Sequence, residues 1–232
     1  MEMSGKLCIV STPIGNLDDI TLRALQTLKD ADVIIAEDTR SASMLLRHFG
    51  IPHKKIISFF EGNEEKRLPE ILNLLQTDIK AVLISESGTP LVSDPGFKLI
   101  RDATRVGIQV EAIPGPTALI NALVLSGLPT NAFIFLGFLP KKEIRAKKLL
   151  ERTKTALFEL DEVKTVIIYE SPHRLLKTFA SILDVFGNIQ IAVAREMTKI
   201  HEEVRREKVS ESIAHFAQTP PKGEFTIVFS KV

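Results

Sequence analysis

The sequence predicts an α/β protein built from two α/β domains. Three observations carry that prediction. Short apolar runs alternate with segments of helical spacing through the first half, and the alternation restarts after a change of texture around Leu128-Pro129-Thr130-Asn131. Several of the apolar runs also lead into loops rich in Gly, Pro, Ser and Thr. In an open parallel sheet such strand-exit loops are where small ligands are held, by backbone N–H groups and helix N-termini.

The first strand is Leu7 to Val10, followed by the loop Ser11-Thr12-Pro13-Ile14-Gly15-Asn16-Leu17-Asp18-Asp19-Ile20-Thr21 and an amphipathic segment. Further strands are expected at Asp32 to Ala36, Ile56 to Phe60, Ala81 to Ile84 and Val110 to Ile113. Between them, Leu22, Leu25 and Leu28 with Ala24 make one helical face, and Leu45, Leu46 and Phe49 a second, with Gly50 as its stop. Leu68, Ile71, Leu72 and Leu75 make a third, with Pro69 marking the start of that helix. Repetition of strand and helix implies a mostly parallel sheet with buried strands. The second half opens with Ala132 to Leu139, then a basic helical stretch, then Thr165 to Tyr169, a helix to about Phe186, and Ile189 to Ala194. It closes with Glu224 to Phe229. The domains are placed at 1–116 and 117–232, joined near residues 116 to 131.

Composition removes several function classes. The 232 residues are 44% hydrophobic and 25% charged, an ordinary globular balance with enough length for two compact cores. With 30 Lys and Arg against 29 Asp and Glu, no global field draws the chain to nucleic acid, so any polyanion site is a local patch. The one cysteine, Cys8, falls in the first strand and reads as a small buried apolar residue, which fits a reducing compartment. No apolar run approaches the ~20 residues of a membrane span, and Met1 to Lys6 lacks a basic region with an apolar signal core. No membrane association is expected, and the cytoplasm is the expected location.

Two further strand-exit loops stand out: Ser85-Glu86-Ser87-Gly88-Thr89-Pro90-Leu91-Val92-Ser93-Asp94-Pro95-Gly96 and Pro114-Gly115-Pro116-Thr117. Singly, each reads as turn chemistry. Together with the first loop they point to a lined cleft on one side of the sheet. No G-x-G-x-x-G follows the first strand and no phosphate-gripping G-x-x-x-x-G-K-[ST] occurs, so neither a dinucleotide nor a phosphate loop is supported. Glu37, 22 positions after Gly15, matches the ribose-binding acid of dinucleotide sites only superficially. No zinc motif, cysteine cluster or nucleophile elbow is present. The ligand expected is a small molecule gripped without phosphate or metal.

The runs Thr12 to Thr21, Ala36-Glu37-Asp38-Thr39-Arg40, Gly88 to Gly96, Pro114 to Ala118, Gly137-Phe138-Leu139-Pro140-Lys141-Lys142, Tyr169-Glu170-Ser171-Pro172-His173-Arg174 and Ala194 to Glu203 resemble the ribosomal RNA small subunit methyltransferase I family, within the tetrapyrrole methylase superfamily. The resemblance spans residues 6 to 231 in order. It implies two α/β domains with S-adenosylmethionine in the cleft between them, a homodimer, and 2′-O-methylation of a cytidine in the decoding region of 16S rRNA in the small ribosomal subunit. It assigns cofactor contacts to Pro13, Ile14, Gly88, Thr89, Pro90, Leu91, Thr117 and Ala118, with Tyr169 and Ala194 from the second domain, and implies no metal. The chain departs from the pattern in three places. Thr89 stands where superfamily relatives often carry aspartate, Glu86-Ser87 stands where the family usually has Asp-Ala, and Phe59-Phe60-Glu61-Gly62-Asn63 stands where many family members carry histidines, which excludes a histidine base from that loop.

Methyl transfer from a sulfonium needs mainly alignment of the acceptor oxygen, which alone removes ~7–11 kcal/mol from a barrier; a general base adds roughly 10²–10⁴-fold. The candidates for proton acceptance or ribose positioning are Glu37, Asp38, Arg40, His173 and Glu196, with Glu37 and Asp38 foremost. The bland readings are a salt bridge or helix cap for each carboxylate, and a helix start or phosphate contact for His173. Arg40 and Arg174 suit phosphate or structural pairing, since guanidinium stays protonated. For RNA, Lys141, Arg145, Lys148 and Arg152 recur at helical spacing, and residues 141–154 hold seven basic against two acidic residues. A second cluster, Arg205-Arg206-Glu207-Lys208, shows no facial order and reads as plain surface. Two other functions stay open on the residues alone: a methylase of a corrin precursor, and a non-catalytic rRNA-binding module.

Overall fold

The computed structural model describes residues 5–231; the sequence reading of residues 1–4 lies outside them. The chain divides into two compact units between Thr117 and Ala118. No helix among the described residues is long and apolar enough to cross a membrane.

The first unit runs β1 (Lys6–Val10), α1 (Leu22–Asp30), β2 (Val33–Ala36), α2 (Thr39–His48), β3 (Lys55–Ser58), α3 (Glu64–Leu75), β4 (Lys80–Ile84), α4 (Phe97–Arg105) and β5 (Gln109–Ile113). Its five strands lie in the order β3-β2-β4-β1-β5, all parallel. Successive strand residues point to opposite faces. Cys8, Val10, Ile34, Ala36, Val82 and Ile84 pack under α1 and α2, through Ala24, Leu28, Ala42 and Leu46. Leu7, Val33, Ile35, Ala81 and Leu83 pack under α3 and α4, through Ile71, Leu75, Leu99 and Ala103. Burial on both faces is why these strands read as unbroken apolar runs. The chain leaving β1 crosses β4 to reach β2, whereas the chain leaving β4 crosses β1 to reach β5. Loops from two neighbouring strands therefore part to opposite faces at a topological switch point, where open α/β sheets bind ligands.

Local chemistry fixes the helix ends. Thr21 Oγ1 accepts from Ala24 N–H at 3.1 Å and starts α1. Gly50, at φ +61, ends α2 with Gly50 N–H donating to Arg47 O and Ile51 N–H to Leu46 O, a Schellman closure. Two expectations are corrected. Leu22 is 86% exposed, so the buried face of α1 is Ala24 and Leu28, one helical turn apart. Pro69 does not start α3; the helix begins at Glu64 and carries Pro69 inside it. The proline forfeits one N–H to the carbonyl four residues back, a loss outweighed by burial of Ile71 and Leu75.

The second unit runs α5 (Ala118–Ser126), β6 (Phe133–Phe138), α6 (Glu143–Glu159), β7 (Thr165–Glu170), α7 (Leu175–Phe186), β8 (Gln190–Arg195), β9 (Glu203–Lys208), α8 (Val209–Gln218) and β10 (Phe225–Ser230). The five strands order as β6-β7-β10-β8-β9, with β6 parallel to β7 and the other pairs antiparallel. α6, α7 and α8 share one core with the sheet, centred on Leu150, Phe179, Phe216, Ile168, Ile227 and Phe229. α5 packs on β7, β8 and β10 through Leu119, Ala122 and Leu123.

The Arg205-Lys208 cluster, expected to be plain surface, is part of the edge strand β9. Here order comes from charge. Arg205 pairs with Glu207 at 2.6 Å and Glu203 at 3.3 Å, and Glu203 with Arg195 of β8 at 3.4 Å. A strand held by alternating ion pairs has no hydrophobic period to read, and its charges guard an open sheet edge against pairing with other chains.

Candidate functional site

The loops leaving β1, β4 and β5 are knitted together at the carboxyl end of the first sheet. Thr12 N–H donates to Gly88 O at 2.8 Å and Gly88 N–H donates to Thr12 O at 3.1 Å, so the first two loops form a two-way backbone bridge. Thr89 Oγ1 donates to Pro116 O at 3.0 Å and takes the Ser11 hydroxyl at 2.9 Å, which ties in the third loop. Gly88 sits at φ +76, where a Cβ would meet Ile14 Cγ2 at 3.2 Å, and a Cβ on Gly115 would come within 2.9 Å of Ser11 Cβ. Both positions require glycine. Pro13, Ile14, Gly88 and Pro90 are buried in this junction, and Thr89 is half-buried. Leu91 and Ser93 hold φ near +71 and +73, conformations that non-glycine residues rarely adopt and that concentrate at ligand sites. The Thr12 hydroxyl is buried and has no hydrogen-bond partner among the described residues. A buried hydroxyl left unmet among loops that otherwise satisfy one another suits a polar ligand atom.

The carboxylates expected at the end of β2 separate in character. Asp38 caps α2, accepting from Arg40 N–H at 2.7 Å and Ser41 N–H at 3.3 Å, and pairs with the Arg40 guanidinium at 3.0 Å. Those bonds, the Arg40 side chain first, hold its carboxyl down to about 2. It is a helix cap and a weak proton acceptor, and the Arg40 side chain is 87% exposed. Glu37 is the opposite case. Burial raises its pKa, reinforced by the nearby charges of Glu86, Asp38 and Glu61.

Asp94 joins Glu37 there, a residue that sequence reasoning left inside a turn motif. Pairing of Ala36 with Ile84 in the β2–β4 ladder sets Glu37 beside Ser85, and Asp94 hydrogen-bonds the Ser85 side chain. Burial and the charge on Glu37 push Asp94 up to about 6, against the lowering effect of Ser85. Two carboxylates crowding one half-buried position disfavour double ionisation, and a carboxylate raised toward neutrality is a competent proton acceptor. Its signal in the sequence is an acid set among the glycines and prolines of Ser85 to Gly96.

In the second unit, Tyr169 lies at the end of β7 with its hydroxyl accepting from Leu119 N–H at 3.1 Å in the first turn of α5, next to Ala118. Thr117 directly precedes that helix. Ala194 is 1% exposed and held in ladders to Thr226 and Val204, so only its chain neighbour Arg195 reaches the surface. His173 is exposed in the turn before α7. Arg174 donates to Leu139 O at 2.8 Å and to the fully buried Glu170 carboxylate at 3.0 Å, a structural clamp. Glu196, at φ +49, accepts from Glu224 N–H at 2.9 Å and Lys199 at 3.0 Å, which ties it to its own loop.

The basic stretch resolves into two faces. Lys147 pairs with Asp184 at 2.5 Å and Lys154 donates to Val185 O at 2.7 Å, both fastening α6 to α7. Arg145, Lys148 and Arg152 line the exposed face opposite Ala146, Leu150 and Leu157, with no ion-pair partner among the described residues. Lys141 shares their character but precedes the helix, whose cap is Lys142.

The family model described as Tetrapyrrole (Corrin/Porphyrin) Methylases matches residues 6–212. A protein of Thermotoga maritima named ribosomal RNA small subunit methyltransferase I is 47% identical over 226 residues, covering 97% of this chain and 98% of the relative. One of that name from Hydrogenobaculum is 44% identical, over 97% of this chain and 96% of the relative. Among solved structures, uroporphyrin-III C-methyltransferase of Thermus thermophilus complexed with S-adenosyl homocysteine matches at TM-score 0.64 and 18% identity, over 97% of both chains. A cobalt precorrin-4 methyltransferase matches at TM-score 0.69 and 18% identity, over 97% of this chain and 94% of that one, so the fold is shared.

Proposed function

The chain belongs to the ribosomal RNA small subunit methyltransferase I family of tetrapyrrole methylases, and from that premise we propose that it methylates a cytidine ribose 2′-hydroxyl in the decoding region of 16S rRNA, with S-adenosylmethionine as donor. The observation that carries this reading is the end-to-end match to relatives bearing that name. The unmet Thr12 hydroxyl, in loops that a Gly88 side chain would crowd, fits the cofactor. Pro13, Ile14, Gly88, Thr89, Pro90, Leu91 and Thr117 are the contacts proposed from the first unit, and Ala118, Tyr169 and Ala194 from the second. Thr89 contributes position rather than charge, since its hydroxyl is spent on Pro116 and Ser11.

When bound, S-adenosylmethionine supplies a methyl group made electrophilic by its sulfonium. The residues of the chain must then orient the ribose oxygen and take up its proton. Glu37, whose raised pKa favours proton uptake, is the proposed acceptor. Asp38 holds the start of α2 and so the backbone beside Glu37. Arg40 and His173, both exposed, are proposed to contact the ribose–phosphate backbone. The cationic face of α6 suits rRNA phosphates, which draw Lys and Arg irrespective of base sequence. A ribosomal substrate sets the proposed location in the cytoplasm. The proposed homodimer is supported by exposed Ile120 and Val124, one turn apart on α5, which a second copy would cover.

The test is label transfer from radioactive S-adenosylmethionine to small subunits from a strain lacking the enzyme, beside a tetrapyrrole precursor. Label in rRNA supports the reading. Label in the precursor would assign a corrin-type methylase, and label in neither, with working controls, a non-catalytic binding module.

A further inference from the structure

Phe138 is presented to solvent by a segment fixed on both sides. β6 departs from regular pairing between Phe135 and Phe138, and Gly137 adopts φ +63, a turn that sets Phe138 opposite Tyr169. The next residue, Leu139, is 2% exposed, and its carbonyl takes the Arg174 guanidinium at 2.8 Å. Arg174 is itself locked to Glu170, which also accepts from Thr178 Oγ1 at 2.5 Å and Ser171 N–H at 2.8 Å. Behind the ring, Tyr169 packs edge-on to Phe138 at 5.7 Å and to Phe135 at 4.9 Å. Despite this support Phe138 is 53% exposed. An aromatic ring held rigidly at an exposed position has already lost the freedom that binding would otherwise remove.

Its neighbourhood is cationic. Lys141, Lys142 and Arg145 follow within seven residues, exposed and without ion-pair partners among the described residues. Aromatic faces beside unpaired cations are the combination that holds unstacked nucleotides, the ring taking a base and the cations its flanking phosphates. S-adenosylmethionine carries no phosphate and a positive sulfonium, so these cations do not favour it.

We propose that Phe138 is a stacking platform for an unstacked RNA base, with Lys141, Lys142 and Arg145 gripping the adjoining phosphates. This rests on the rRNA reading above and names the substrate feature it requires, a single-stranded or splayed nucleotide. The chain contains no tryptophan, so Phe138→Trp introduces a unique fluorophore. Titrating that variant with small-subunit rRNA should quench its emission saturably, while S-adenosylhomocysteine alone leaves it unchanged. Phe138→Ala should lower kcat/KM for rRNA by roughly 5- to 150-fold, the value of one base–aromatic stack. Phe138→Tyr should recover most of that loss, while Phe138→Leu, equally apolar but without a ring face, should not. Circular dichroism and thermal melting check that each variant is folded. Quenching by S-adenosylhomocysteine alone would hand the ring to the cofactor adenine and overturn the proposal, as would label transfer to rRNA by the parent chain without quenching in Phe138→Trp. Quenching by RNA in a chain that transfers no label would keep the platform and refute the methyltransferase reading instead.

Discussion

Replacing Asp94 with asparagine should make the protein more stable at neutral pH. Asp94 is half-buried in the loop after β4 and feels the charges of Glu37 and Glu86, so its ionised form is disfavoured despite the Ser85 hydrogen bond and its pKa stands at about 6. Against an ordinary aspartate near 3.9, that rise corresponds to about 3 kcal/mol at pH 7, where the carboxylate is ionised in both the folded and the unfolded chain. Partial exposure screens that cost, leaving about 1–2 kcal/mol. The sign follows from linkage. A carboxylate raised in the folded state binds more protons folded than unfolded between pH ~4 and ~6, so its favourable contribution is complete below pH ~4 and is lost as pH rises through ~6. Asparagine keeps the shape and one acceptor for Ser85 while removing the charge. Urea unfolding of Asp94→Asn and the parent protein from pH 4 to pH 8 should therefore show a stability difference that is small at pH 4 and grows to about 1–2 kcal/mol by pH 7.5. A variant no more stable than the parent at pH 7.5, or with the same difference at pH 4, would refute the crowded-carboxylate account.

Other outcomes follow from single contacts. Glu37→Gln should lower single-turnover methyl transfer by roughly 10²–10⁴-fold, whereas Asp38→Asn, which still caps a helix, should keep most of the rate; rapid-quench kinetics separates them. Gly88→Val places a branched side chain at φ +76 against Ile14, and calorimetry should show loss of S-adenosylmethionine binding. Charge reversal of Lys141 and Arg145 should weaken RNA binding and flatten its salt dependence by about 0.7–0.9 per lost phosphate contact, with cofactor affinity unchanged.

The central strands of both sheets were legible because burial on two faces writes continuous runs, and Gly50 was legible because a left-handed stop demands glycine. β9 was not, since its order lies in ion pairs between Glu203, Arg205 and Glu207. Pro69 misled because a local helix signal was overridden by the packing of Ile71 and Leu75. At the site, the three ligand loops could be named from glycine and proline alone, but the bonds joining Thr12 to Gly88 and Thr89 to Pro116 span too much sequence to be read from it. The carboxylates show the same limit. Glu37 and Asp38 are adjacent and identical in kind on paper, yet one is raised by burial and the other held down by Arg40. Asp94 gains its character from burial first and then from the charge of Glu37, which lies far from it in the chain.

The central claim is methylation at the ribose oxygen, and alkaline hydrolysis of labelled rRNA tests it directly. Alkaline cleavage needs a free 2′-hydroxyl, so rRNA labelled by this protein should release its label in an alkali-resistant dinucleotide whose first residue is cytidine. Label released in mononucleotides would place the methyl on a base and contradict the account.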